Sequence, residues 1–401
     1  MKTKLIALTL FSVTAAVVAA YPAFETRDLE RQVPTPDTNP VQPLLAQHRI
    51  DLVFALDTTG SMGGLIEAAK EKIWSITSNL AAAQPTPEIR IGLVAYRDRG
   101  DNYVTLVHDL STDIDSVYAT LMELQAAGGG DGPESVNQAL DDALNKISWS
   151  QDTNTYKVIF LVGDAEPHMD YPNERRYPQI LADARKRQIR INTVQCGQDD
   201  ATRVSWSEIA RLGAGAYLQV DQSGSAVAIS TPFDSKIAEL SQALDETRLY
   251  YGSASERAHL QSKLEAAKKL HAGASTASRA RRAEYNLSAS GETNFLGENE
   301  LVDAVNSGRV ALDNIENDTL PGSLQAMAPA DRKRLIEQKA EQRKILRQEI
   351  GKLSHKRSEY LEQKVKELGN DEASLDHKIQ SVVKAQATTE GLRYDDGAMH
   401  Y

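Results

Sequence analysis

Between Ile50 and about Asp245, short apolar runs alternate with amphipathic stretches. This alternation constrains the fold more than any other feature of the chain. IDLVFAL leads into a helical stretch from about Met62 to Ala83, and IRIGLVAY follows. YVTLVHDL precedes IDSVYATLMEL, a helical stretch with Asp113 and Asp115 at its start. SVNQALDDALNKI is followed by VIFLVG, YPQILADARKRQ by IRINTVQCG, and WSEIARLG by AYLQV. A run such as VIFLVG is apolar at every position, as a strand must be when helices cover both faces of a parallel sheet. The pattern predicts an α/β fold with a doubly wound, mostly parallel sheet. In such sheets ligands bind beyond the carboxyl ends of the strands, where loops run into helices.

The rest of the 401 residues divides by composition. Residues 1–20 carry Lys2 and Lys4 ahead of an apolar run ending in Val18-Ala19-Ala20, the pattern of a cleaved signal peptide. Residues 21–46 are rich in proline and read as a linker, ahead of an α/β domain over 47–245. A helical or mixed connecting region is expected over 246–325, a long charged helix over 326–390, and a flexible tail over 391–401. In the long helix Leu346, Ile350, Leu353 and Tyr360 form an apolar seam, with Arg357 and Lys364 where more apolar residues belong. That pattern predicts a partly coiled-coil helix, used for self-association or for packing on the acidic domain. The net charge of −11 excludes a general nucleic-acid binder. No segment after the leader is apolar enough to span a bilayer. Cys196 is the only cysteine, so no intrachain disulfide can form, and its apolar surroundings predict burial.

The expected strand ends carry oxygen-bearing side chains. In FALDTTGSMGG, alternate residues of an extended loop would point Asp57, Thr59 and Ser61 the same way. Asp131 follows the glycines of GGGDGPES, and Asp164 follows VIFLVG. Oxygen ligands of this kind suit a hard divalent cation, Mg²⁺ first, with Mn²⁺ or Ca²⁺ as alternatives. Each loop also has a plainer reading: Thr59 or Ser61 capping a helix, and the glycines forming a turn. The Thr-Gly after Asp57 is offset from an aspartic-protease loop, GSMGG lacks the lysine of a phosphate loop, and no histidine pair has zinc-hydrolase spacing. Arg99-Gly100-Asp101 reads as an ordinary turn.

Taken together, these loops make residues 47–245 resemble a von Willebrand factor A domain. The family's Asp-x-Ser/Thr-x-Ser signature stands here as Asp57-Thr58-Thr59-Gly60-Ser61, and its later strand-end aspartate as Asp164. AYRDRGDNYVTLVHDL, GGGDGPESVNQAL and GDAEPHMDYP look like a secreted bacterial branch with hemicentin-like A domains. The resemblance implies a metal-ion-dependent adhesion site (MIDAS), with Asp57, Thr59 and Ser61 near the ion and Asp164 acting through water. It also implies a protein ligand that offers the ion an acidic group. The family's second loop supplies a threonine after its glycines, whereas this chain has Asp131, with Glu134 close behind. Asp131 is therefore taken as a metal ligand, and Glu134, His168 and Asp170 as rim residues that meet the partner. The expectation is an exported, non-enzymatic, cation-dependent interaction module of a Gram-negative envelope, periplasmic or secreted. The alternatives are a metal-assisted hydrolase or accessory subunit using His168, and a structural envelope protein assembled through its C-terminal helices.

Overall fold

The computed structural model describes residues 48–130, 132–152, 154–222, 229–368 and 375–394. The expected signal peptide and linker, and Asp131, lie outside them.

A six-stranded sheet is built from β1 (Arg49–Asp57), β2 (Glu88–Tyr96), β3 (Thr105–Ser111), β4 (Thr155–Gly163), β5 (Ile189–Cys196) and β6 (Tyr217–Val220). Its order is β3-β2-β1-β4-β5-β6. Only β3 runs antiparallel, so the sheet is mostly parallel, as its apolar strands require. Side chains alternate across β1: Ile50, Leu52 and Leu56 join the core on one face, Val53 and Ala55 the core on the other. The first face is covered by α1 (Gly63–Ala81) and α2 (Ile114–Glu123). The second is covered by α3 (Val136–Asn145), α4 (Tyr177–Lys186) and α5 (Asp200–Leu212).

Downstream come α6 (Asp234–Asp245), α7 (Ala254–Gly273), α8 (Thr276–Leu287) and the short α9 (Glu292–Leu296), α10 (Leu301–Asn306) and α11 (Gly322–Gln325). These helices belong to the same compact unit as the sheet. Tyr285 of α8 packs its ring 6.0 Å from Trp74 of α1. Arg282 of α8 grips Asp115 of α2 through two hydrogen bonds of 2.6 and 2.5 Å, and reaches Asp245 at 2.8 Å. Burial alone would raise these acids. The facing guanidiniums outweigh it and hold both Asp115 and Asp245 below the ordinary carboxylate range.

The expected single helix over 326–390 is two helices, α12 (Pro329–Leu368) and α13 (Leu375–Thr388). The seam expected to face a partner helix is turned inward, with Leu346 and Ile350 packed against α6 and α8. Arg357, an interruption in that seam, is fully buried and bonds Asp234 at 2.8 Å and Glu284 at 3.1 Å. Arg343 likewise forks onto Glu300 at 2.9 and 3.0 Å. This part of the helix is thus taken up by packing within the chain, with its arginines on acids of earlier elements. α13 lies on the first face of the sheet, where Ile379, Val383 and Ala387 enter the core. The expected flexible tail begins instead with an anchored segment: Leu392 is buried, and Arg393 exchanges backbone hydrogen bonds with Gln84 at 2.7 and 2.8 Å. Among the described residues no helix is long and apolar enough to cross a membrane.

Candidate functional site

β1 ends at Asp57, beside Tyr96 of β2 and the last residue of β4, Gly163. A Cβ on Gly163 would lie 3.0 Å from the Asp57 carboxylate and 2.6 Å from the Tyr96 hydroxyl. Only glycine leaves room there for an acid at the strand end. Asp57 is fully buried, and its Oδ1 accepts hydrogen bonds from the Thr59 amide at 2.8 Å and the Thr59 hydroxyl at 2.7 Å. Its Oδ2 is buried with no hydrogen-bond partner. The capping alternative for this loop fails. Neither the short 3₁₀ turn at Gly60–Met62 nor α1 receives a side-chain cap, and Ser61 stands exposed.

Two neighbouring loops are tied to this one. Gly60 N donates to Gly128 O at 3.2 Å, and Ala127 N donates to Thr58 O at 3.1 Å. Arg97 staples the first and second loops, donating to Thr58 O at 3.1 Å and Gln125 O at 2.7 Å. Gly128 adopts a φ of 81°, and a Cβ there would fall 2.2 Å from the Asp101 carboxylate, so the glycine run is a required close approach. Asp101 in turn accepts the Gly129 amide at 3.2 Å.

Glu134 was expected on the rim, and the structure buries it at 3% exposure with its Oε2 unpartnered. Its amide donates to Glu166 O at 2.9 Å and its carbonyl accepts from His168 N at 3.0 Å, which draws the residue in between the second and third loops. Asp164 is half-buried, and its Oδ2 accepts from Gln222 Nε2 at 2.6 Å. His168 is also buried, with Nδ1 2.8 Å from Asp170, Nε2 3.5 Å from Asp98, and its ring stacked on Tyr171 at 4.1 Å. Asp170 stays exposed.

Asp98, Asp101, Tyr171 and Gln222 were not anticipated as parts of this face. Asp98 accepts from the Ser135 hydroxyl at 2.9 Å and from the Tyr171 hydroxyl at 2.9 and 2.7 Å. Its position just past the strand IRIGLVAY was the available signal, since that too is a carboxyl-end loop.

Two acids of this edge, Asp57 and Glu134, are raised. Burial pushes the Asp57 carboxyl up to about 7, with Asp164 adding to the rise and the Thr59 bonds opposing it. Burial pushes Glu134 up to about 9, reinforced by Asp57, Asp98, Asp101 and Asp164. The nearby Cys196 thiol is pushed well above its ordinary value by burial and by Asp164 and Asp57, which makes it inert. Among the described residues, no three His, Cys, Asp or Glu side chains gather as a ready metal cluster. The arrangement at Asp57 is instead a carboxylate with hydroxyls beside it. An orphaned, buried carboxylate oxygen in an all-oxygen setting fits a hard cation, because such an oxygen is costly to bury without a partner.

The fold and these loops define a class of domain. Residues 51–232 match the family model described as a von Willebrand factor A domain, and this segment of the chain is such a domain. The mouse von Willebrand factor A domain-containing protein 7 is 38% identical over 116 residues, covering 29% of this chain and 12% of that protein. An ariadne-like RING finger protein of Acanthamoeba polyphaga mimivirus is 29% identical over 119 residues, covering 30% of this chain and 11% of that protein. The chain thus matches only about a tenth of the length of these relatives. Among solved structures, the proximal thread matrix protein 1 of the mussel byssus, solved with zinc in its MIDAS motif, aligns with a TM-score of 0.35 at 14% identity. That alignment covers 43% of this chain and 42% of the mussel protein.

Proposed function

We propose that this chain is an interaction module that binds another protein through the carboxyl-end face of its sheet, with a divalent cation held at that face. The observation that carries the reading is Asp57: fully buried, fixed by Thr59 through Oδ1, and left with an unpartnered Oδ2. In this reading Asp57, Thr59 and Ser61 hold the ion, Asp131 and Asp164 flank it, and Mg²⁺ is the first candidate. When bound, the ion would supply a Lewis-acidic centre that polarises an oxygen of the partner. Asp98, His168, Asp170 and Tyr171 form the border of the face. His168 is read as a recognition residue and not as a general base, because both ring nitrogens face carboxylates of the same chain and the ring is stacked on Tyr171. Export, guided by residues 1–20, belongs to the same proposal.

The test is a pull-down from a bacterial envelope extract with the wild type and Asp57→Ala, in Mg²⁺ and in chelator. Partners captured only by the wild type in Mg²⁺ support the reading. Identical capture by a folded Asp57→Ala variant in chelator would remove it.

A further inference from the structure

We propose that Glu134 is itself a cation ligand, so that two carboxylates of this chain, Asp57 and Glu134, hold the ion together with the Thr59 and Ser61 hydroxyls. This rests on the cation-dependent reading above and adds a residue to it. Both carboxylates are deeply buried, at 0% and 3% exposure, and each keeps one oxygen without a partner, Asp57 Oδ2 and Glu134 Oε2. Glu134 and the Thr59 that bonds Asp57 flank the same glycine of the second loop. A Cβ on Gly129 would lie 3.4 Å from Thr59 Cβ and 3.5 Å from Glu134 Oε1, and the Thr59 hydroxyl is bonded to Asp57. Glu134 Oε1 and the Thr59 side chain therefore border the same residue of the loop.

Among the described residues, no cation bonds to these oxygens. Arg97, the basic residue that acts on Asp57, commits its guanidinium to Thr58 O and Gln125 O. Nor can Glu134 relax outward easily, since its amide and carbonyl are both bonded to the third loop, at 2.9 and 3.0 Å. A carboxylate fixed in the interior without donor or counter-ion is strongly unfavourable, and a hard cation is the group whose chemistry satisfies two such oxygens at once.

The consequence concerns the partner. A neutral second-loop ligand leaves an ion with residual positive charge, which attracts a carboxylate from outside. Asp57 and Glu134 together cancel that charge, and Asp164 at the flank further disfavours an incoming carboxylate. The ion here is therefore retained by the chain alone, and the partner meets it with a neutral oxygen.

The experiment is Mn²⁺ titration of the full chain by calorimetry, with thermal unfolding of the metal-free protein alongside. Glu134→Gln is expected to weaken Mn²⁺ binding by roughly 10- to 100-fold, the loss seen when groups supporting a metal site are removed. Its metal-free Tm should be close to that of the wild type, because the amide keeps the shape of the side chain. Added acetate should strengthen Mn²⁺ binding in Glu134→Thr and not in the wild type. If Glu134→Gln fails to fold, the acetate comparison with Glu134→Thr decides alone. Wild-type Mn²⁺ affinity in Glu134→Gln, or equal acetate enhancement in wild type and Glu134→Thr, overturns the assignment and leaves the cation-dependent reading standing. A wild type that binds no Mn²⁺, Mg²⁺ or Ca²⁺ overturns both.

Discussion

Two parts of this molecule bury acids, and they treat them in opposite ways. In the helical layer every buried carboxylate of the core network meets a guanidinium: Asp115 and Asp245 meet Arg282, Glu300 meets Arg343, and Asp234 meets Arg357. At the carboxyl-end face Asp57 and Glu134 are equally deep, yet each keeps an oxygen with nothing bonded to it. The first region is electrostatically closed and serves the fold. The second is left open, which a chain tolerates where something from outside completes it.

The contrast can be broken most severely at Arg282. Arg282→Ala leaves Asp115 and Asp245 buried without their shared partner, and should cost roughly 3–5 kcal/mol, read as a lower denaturant midpoint. A pH series separates the two regions next. Asp57 and Glu134 hold protons up to about 7 and about 9, above their ordinary 3.8 and 4.5. Their contribution to stability is thus fully present below about pH 4 and is lost as pH rises through those values. Asp115 and Asp245 are depressed, so theirs is present above about pH 4 and lost on acidification. Metal-free protein should therefore lose Tm from pH 5 to pH 8, and Asp57→Asn with Glu134→Gln should flatten that slope. A slope unchanged by both substitutions would show that the open acids are not its source.

Gly163→Ala should cost about 1–3 kcal/mol by overpacking against Asp57 and Tyr96, and should reduce Mn²⁺ uptake in the same calorimetric titration. The smallest effect is expected at Tyr171→Phe, which removes both hydroxyl bonds to Asp98. A loss of about 1 kcal/mol with Mn²⁺ affinity intact would confirm that this border shapes the face without holding the ion.

Much of the sheet was legible because continuous apolar runs have few other uses, and the strand ends followed directly. Asp57 and Asp164 were legible as acids at those ends. The depth of Glu134 was not, because it depends on backbone bonds to Glu166 and His168, residues more than thirty positions away. The fate of the C-terminal helices was hidden for a related reason. Arg357 looks like a flaw in an apolar seam until Asp234 and Glu284, from two earlier helices, are placed beside it. Gly308 shows the opposite case: it lies just past α10 (Leu301–Asn306), and its φ of 74° is what a helix-ending glycine adopts from its own neighbourhood alone.

The placing of α13 has a practical consequence. The recognisable family segment stops at residue 232, but the core on the first face of the sheet also draws on Leu270, Tyr285, Ile379, Val383 and Leu392. A fragment cut at the end of the family match would expose that apolar face and the backbone of Gln84 that Arg393 now pairs. The matched segment is therefore shorter than the packed core. A truncated version keeps this core whole only if it carries the chain through to Tyr394.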